Sequence, residues 1–290
     1  MRAKKPNPMD ELLRARLRIP EGSDFKLAAL RGAMRTIDFI GRTLGVLPFF
    51  ALCEAEAMLI ELDGRTGPEL VDHIMAQKGG TQIDVHGLEN IPTTGRVVIV
   101  STHPIGTFDF IVHASALLRH RPDLMVVANR EAERFLGKGR IIAVDLSKDE
   151  KVTSPRRTME EMTAHLSQDG AILIFGSGRV PGQVDEYLKE RPWRSGVTRV
   201  SAVTGAPIVP ASTNMRNSKY YYRTRRWIGF LSGGNDDLGR NIASLRYVSE
   251  LLAKLGGRYA VHYGTQLEPG TPAHVLQENA ESLVPGLYRP

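Results

Sequence analysis

The chain has 290 residues, 42% hydrophobic and 24% charged, enough to bury a sizeable core, and it reads as one large domain with a helical extension. A single cysteine, Cys53, excludes an intramolecular disulfide framework and any multi-cysteine metal site, and it fits a reducing compartment. The formal charge of +6 points to an anionic partner, be it nucleic acid, an acidic metabolite or the negative face of a membrane, and leaves the choice among them open.

Residues 1–22 are polar and basic and are interrupted by Pro6, Pro8 and Pro20. They read as a loose or partly helical arm that lacks the apolar core and cleavage site of a signal peptide. From Phe25 to Leu62 apolar residues recur at helical spacing (Leu27, Leu30, Met34, Ile37, Ile40) among Arg31, Arg35 and Arg42, which predicts one or two amphipathic helices. Two readings stand side by side. Either Leu44, Val46, Leu47, Phe49 and Phe50 enter a lipid boundary with the arginines on headgroups, or the same face packs on the domain core. The longest uncharged apolar run, between Arg42 and Glu54, falls well short of the ~20 residues of a spanning helix. A further helix is predicted over 67–77, and residues 23–80 together read as a helical membrane-associating segment.

After Gly79-Gly80 the pattern changes. Ile83 and Val85 alternate as in a short strand, and Ile91 to Gly95 form a turn. Strand and helix patterns then alternate over 97–100, 108–118, 124–128, 141–144, 153–166, 171–175, 197–203, 207–211, 238–255 and 259–263. This predicts an α/β domain over 81–290 with a mostly parallel central sheet flanked by helices.

The run Val97–Val100 reads as a buried parallel strand delivering His103-Pro104 into a turn that contains Gly106, with Asp109 six residues beyond the histidine. The ends of such strands are where open α/β sheets place ligands. A carboxylate beside a histidine fixes the imidazole tautomer and stabilises its protonated form, freeing the ring to take a proton from a hydroxyl nucleophile. A well-placed base contributes roughly 10²–10⁴ in rate. Taken alone, the pair has a competing structural reading as a helix cap. None of the eight histidines has metal-ligand spacing with another histidine or with the cysteine, so no metal site is read.

A second buried strand ends in Phe175-Gly176-Ser177-Gly178-Arg179, a turn able to offer backbone N–H groups, a hydroxyl and a guanidinium to an anion, although it lacks the spacing of a nucleotide P-loop. Gly205 to Pro210 reads as a helix stop followed by a short buried strand. The stretch Arg216–Trp227 packs five cations among four aromatics. It fits a nucleic-acid track, a lipid interface, or simply a solvated β-hairpin edge.

In order and spacing these stretches resemble the glycerolipid (lysophospholipid) acyltransferase superfamily, which includes the 1-acylglycerol-3-phosphate acyltransferases. Asp84–Pro92 resembles the family's approach to its first block, and Ser101–Asp109 resembles that block. Gly137–Asp145 is similar to the second block, Phe175–Arg179 to the third and Pro207–Pro210 to the fourth, with Trp193–Val197 like the lead into the last helix. The resemblance covers residues 82 to about 213. It implies acyl transfer from an acyl thioester, carried by acyl-carrier protein or coenzyme A as cosubstrate, to the hydroxyl of a lysolipid. His103 would be the general base and Asp109 its orienting partner. Phe175, Gly176, Ser177, Gly178 and Arg179 would bind substrate, and Arg179 with Arg140 or Arg130 would hold an anionic headgroup or the carrier's phosphate. No metal and no bound cofactor are implied, and the expected setting is peripheral, on the cytoplasmic face of a bacterial inner membrane.

Two departures bear on the acceptor. Five residues separate His103 from Asp109 where the family usually has four, a longer spacing familiar from its hemolysin-like and aminolipid-forming branches. The usual Phe-Pro-Glu-Gly-Thr-Arg is Phe-Gly-Ser-Gly-Arg here, and Ser177 cannot supply the lost glutamate's charge. A lyso-aminolipid is therefore expected as readily as lysophosphatidic acid. Two alternatives are carried forward: a catalytically weak member that binds lipid or carrier protein, and, ranked below it, a nucleic-acid-binding protein in which the histidine block has no task.

Overall fold

The computed structural model describes residues 7–17, 19–44, 48–137, 139–144 and 153–288. Residues 1–6 of the arm, Val46 and Leu47 of the expected anchor, and Lys138 and Asp145 of the second block lie outside the described residues. In chain order the elements begin with α1 (Pro8–Leu17), α2 (Asp24–Thr43), α3 (Leu52–Glu61), α4 (Gly67–Ala76), β1 (Gln82–His86), β2 (Val97–Ser101), α5 (Thr107–Leu117), β3 (Met125–Ala128), α6 (Glu133–Leu136) and β4 (Ile141–Ala143). They continue with α7 (Thr153–Ser167), β5 (Ala171–Phe175), β6 (Gly182–Val184), β7 (Tyr187–Lys189), α8 (Gly196–Thr204), β8 (Ile208–Thr213), α9 (Lys219–Leu231), α10 (Asp236–Ser244), α11 (Tyr247–Lys254), β9 (Arg258–Tyr263) and α12 (Ala273–Ser282). They form two compact units, one from residues 1–65 and 218–254, the other from 66–217 and 255–290.

The second unit is built on a seven-stranded sheet in the order β1-β9-β8-β2-β5-β3-β4. Every neighbouring pair is parallel except β8 with β9. The expected mostly parallel sheet flanked by helices is thus what forms. Central β2 pairs on both sides and is buried throughout, which is why its sequence is an unbroken apolar run and does not alternate. Its side chains still part by face. Val98 and Val100 join Met162 and Leu166 of α7, Val197 and Val200 of α8, and Leu276 and Ala280 of α12 in one core cluster. Ser101 turns the other way, towards α5. The hairpin β6–β7 and helix α12 were not anticipated from the sequence; the C-terminal tail joins that hairpin by a bridge between Leu188 and Tyr288.

Among the described residues the first unit is all helical. Phe25–Leu62 gives two helices, α2 and α3, as the periodicity requires. Asp38 of α2 is buried, and its carboxylate accepts the amides of Phe50 (2.7 Å) and Leu52 (2.9 Å) at the start of α3, where unpaired N–H groups and the helix dipole favour an anion. Two expectations are corrected in this unit. Residues 238–255 form two helices, α10 and α11, separated by a turn at Leu245-Arg246. The reading of Arg216–Trp227 as a hairpin edge fails, since Lys219 opens a helix capped by the Ser218 hydroxyl, which accepts the Tyr221 amide at 3.1 Å.

Candidate active site

All of the site described here belongs to the sheet-bearing unit. At the end of β2, Ser101 O accepts the Gly176 amide at 3.1 Å and the Thr102 amide donates to Ala211 O at 3.2 Å, so both neighbouring strands hold the chain as it leaves the sheet. His103 is the next residue, its side chain 17% exposed. The path then doubles back through Gly106, whose φ of +100° disfavours any residue with a Cβ. The turn brings Asp109, in the first turn of α5, under the histidine. Fully buried, Asp109 accepts the amides of Ile105 and Gly106 on Oδ2, each at 2.9 Å.

Nδ1 of His103 lies 3.0 Å from that same Oδ2, which is ion-pair range. The ring N–H is not aligned on it, however, and Nδ1 and the second carboxylate oxygen, Oδ1, are both left without a hydrogen bond. Catalytic hydrogen bonds are often poorly aligned before substrate binds, and the loop amides fix the carboxylate where the ring needs it.

Phe175, at the end of β5, packs its ring 4.2 Å from that of His103. Gly176 follows, and a Cβ there would stand 2.0 Å from the Trp193 ring, so the indole lies directly over the backbone of this turn. Ser177 is buried; its hydroxyl donates to Arg179 O (2.9 Å) and accepts the Arg179 amide (3.2 Å), closing the turn. The same hydroxyl also faces the Glu190 carboxyl, so its single proton is shared between Arg179 O and that group.

A carboxyl group from outside the sequence blocks stands beside this turn. Glu190, just past β7, is buried beside Ser177 and accepts the His103 amide on Oε1 at 3.2 Å. Its Oε2 has no hydrogen bond. Burial, reinforced by the like charges of Glu281 and Asp109 and opposed by hydrogen bonds from Ser177 and the His103 amide, pushes its carboxyl up to about 8. Glu190 is thus a neutral acid at pH 7. Tyr288, from the C-terminal tail, is buried nearby, and its phenol is raised by burial and by the Glu190 charge.

A second histidine stands behind the first. His113 of α5 is fully buried, with Nε2 2.8 Å from Ser101 Oγ and Nδ1 3.1 Å from the Tyr263 hydroxyl. Burial, with the His103 charge adding, lowers it to about 3, so it stays neutral and pins α5 between β2 and β9. Nothing in the sequence marked Glu190, Tyr288 or the His113 contacts. Glu190 is 87 positions from His103 and sits in a short charged hairpin without a motif.

The arginines divide. Arg179 stays with the Phe175 turn. Arg130 is exposed just beyond β3, at the same end of the sheet as His103. Arg140 is not brought to the site: it precedes β4, at the opposite end of the sheet, and its guanidinium donates to Pro122 O. Among the described residues no group of three His, Cys, Asp or Glu side chains is placed to hold a metal ion.

Residues 82–214 match the family model described as Acyltransferase. Among curated proteins the chain is similar to a lyso-glycine lipid O-acyltransferase of Phocaeicola vulgatus, 24% identical over 49% of this chain and 50% of that protein. It is also similar to a lyso-glycine lipid O-acyltransferase of Bacteroides thetaiotaomicron, 22% identical over 63% of this chain and 65% of the other. The chain thus spans about half to two-thirds of the length of the curated relatives it matches. Among solved structures, the 1-acyl-sn-glycerophosphate (LPA) acyltransferase PlsC from Thermotoga maritima aligns at 14% identity over 70% of this chain and 69% of that one, with a TM-score of 0.43.

Proposed function

We propose that this chain, residues 82–214 of which match the family model described as Acyltransferase, moves a fatty acyl group from an acyl thioester to the hydroxyl of a lysolipid. The observation that carries this reading is His103 at 3.0 Å from a fully buried carboxylate that two loop amides fix in place. With Asp109 facing Nδ1, the ring proton belongs on that nitrogen and Nε2 is free as a base. Nε2 takes the proton of the acceptor hydroxyl as its oxygen attacks the thioester carbonyl carbon. The tetrahedral intermediate then expels the thiolate of the carrier, which receives the proton back from His103. An ester is formed and a free thiol released, with no net proton change.

The donor is acyl-carrier protein or coenzyme A thioester. For the acceptor, the relatives' activity on lyso-glycine lipids and the altered third block both favour a lyso-aminolipid over lysophosphatidic acid. Arg179, with Arg130 at the same end of the sheet, is the cation for an anionic headgroup. We place the reaction on a membrane surface, at the cytoplasmic face of a bacterial inner membrane, in membrane lipid synthesis. No helix among the described residues is long and apolar enough to cross a bilayer.

The deciding experiment supplies palmitoyl thioesters of both carriers to the purified protein with vesicles, lysophosphatidic acid and hydroxy-acylated lyso-aminolipids, and runs His103→Ala in parallel. Turnover abolished by the substitution supports the reading. Absence of turnover on every pair, from folded protein, would favour a lipid- or carrier-binding role instead.

A further inference from the structure

Helix α9 leaves one of its faces in solvent, and the composition of that face is at odds with a merely solvated helix. Trp227, Phe230 and Leu231 are 64%, 74% and 75% exposed, and Lys219, Arg223 and Arg226 are exposed beside them. At 100° per residue these six positions fall within about two-fifths of the helix circumference. The opposite side carries Tyr221, Tyr222, Arg225 and Gly229, all buried, so the exposed set is a true face and not a frayed end. It holds no acidic residue.

Apolar side chains of this size grouped on a surface mark a contact site. Cations flanking Trp, Phe and Leu on a single face are the composition of a helix that lies in a lipid interface, its rings at headgroup depth. Beside the face is an open, mainly apolar recess of about 370 Å³ lined by Phe49, Tyr220, Trp227 and Ile228, with Arg223 on its wall. The helix also argues against a nucleic-acid track. Of the four aromatics in Arg216–Trp227, Tyr221 and Tyr222 are buried and unavailable for stacking on bases, while Phe230 and Leu231 add apolar surface that a phosphate backbone does not satisfy.

We infer that α9 is a membrane-docking helix, which seats the helical unit on an anionic bilayer by inserting Trp227, Phe230 and Leu231 while Lys219, Arg223 and Arg226 meet lipid phosphates. The choice of a bilayer as occupant draws on the charge of the face and on the proposed lipid acceptor. Its test is read without any acyl donor, so it stands or falls separately from acyl transfer.

The chain's two tryptophans make the experiment selective. Trp193 is buried in the sheet-bearing unit and Trp227 is exposed, so a bilayer-borne quencher reports on Trp227. Full-length protein is mixed with phosphatidylcholine vesicles containing or lacking phosphatidylglycerol, with brominated chains as the quencher. Emission should be quenched only with the anionic vesicles, and the quenched component should be missing in Trp227→Phe. In co-sedimentation, Arg223→Gln with Arg226→Gln should lower partition by roughly twenty-five-fold, at about fivefold per cation. Phe230→Ser with Leu231→Ser should lower it by at least about tenfold. Circular dichroism confirms that each variant remains helical. Vesicle binding with unquenched Trp227, or partition unchanged in both double variants, would overturn the inference. So would salt-sensitive binding to oligonucleotides that vesicles fail to displace.

Discussion

Replacing Glu190 by glutamine should stabilise the protein, and by an amount that depends on pH in a defined way. Glu190 is buried with one oxygen unbonded, and its carboxyl is raised from the ordinary 4.5 to about 8, chiefly by desolvation. Below pH 4.5 the group is protonated in both folded and unfolded chains and costs nothing from this source. Between 4.5 and 8 the unfolded chain releases the proton while the folded chain keeps it, so wild-type stability falls as pH rises. Above 8 both states are ionised and the deficit is constant. At 1.36 kcal/mol per pH unit of difference, the deficit is about 3 kcal/mol at pH 7 and levels off at about 5 kcal/mol above pH 8. Glutamine keeps the shape and the acceptor for the His103 amide but does not titrate. Urea unfolding of wild type and Glu190→Gln across pH 4.5 to 9 measures the difference directly, since all other groups cancel. A difference that does not change with pH would show that Glu190 is ionised in the folded protein and would refute the account of the site as containing a neutral acid.

His103→Ala should lower acyl transfer by roughly 10²–10⁴ while leaving the unfolding midpoint nearly unchanged; steady-state rates with a matched unfolding curve check both halves. Asp109→Asn should cut kcat by about 10²-fold or more through the wrong imidazole tautomer, and a rate within a factor of three of wild type would remove Asp109 from the orienting role. Gly176→Ala forces a methyl to within 2.0 Å of the Trp193 ring, so thermal unfolding should show a loss of about 1–3 kcal/mol and near-UV dichroism a displaced indole.

The residues that act locally were legible in the sequence. An unbroken apolar run ending in turn residues gave β2, and a histidine, a glycine and an aspartate within seven positions gave the loop that brings His103 against Asp109. Both depend on neighbours in the chain, because strand burial and turn conformation are set by a few adjacent side chains. Helical periodicity likewise located α2, α3 and α7, yet it could not say what covers each face. For that reason the basic-aromatic stretch before Trp227 remained open between three readings until Tyr221 and Tyr222 were seen to be buried and Trp227 exposed. Tertiary structure alone decided the rest. Residues 218–254 join the N-terminal helices although the sheet-forming sequence separates them, and Arg140, placed in a family block, starts its strand at the wrong end of the sheet for the site. Glu190 reaches His103 from a hairpin far along the chain, and Tyr288 comes in beside Glu190 from residues farther still. Such contacts leave no periodic trace, because their energy comes from burial and hydrogen bonding between segments whose separation in sequence carries no pattern.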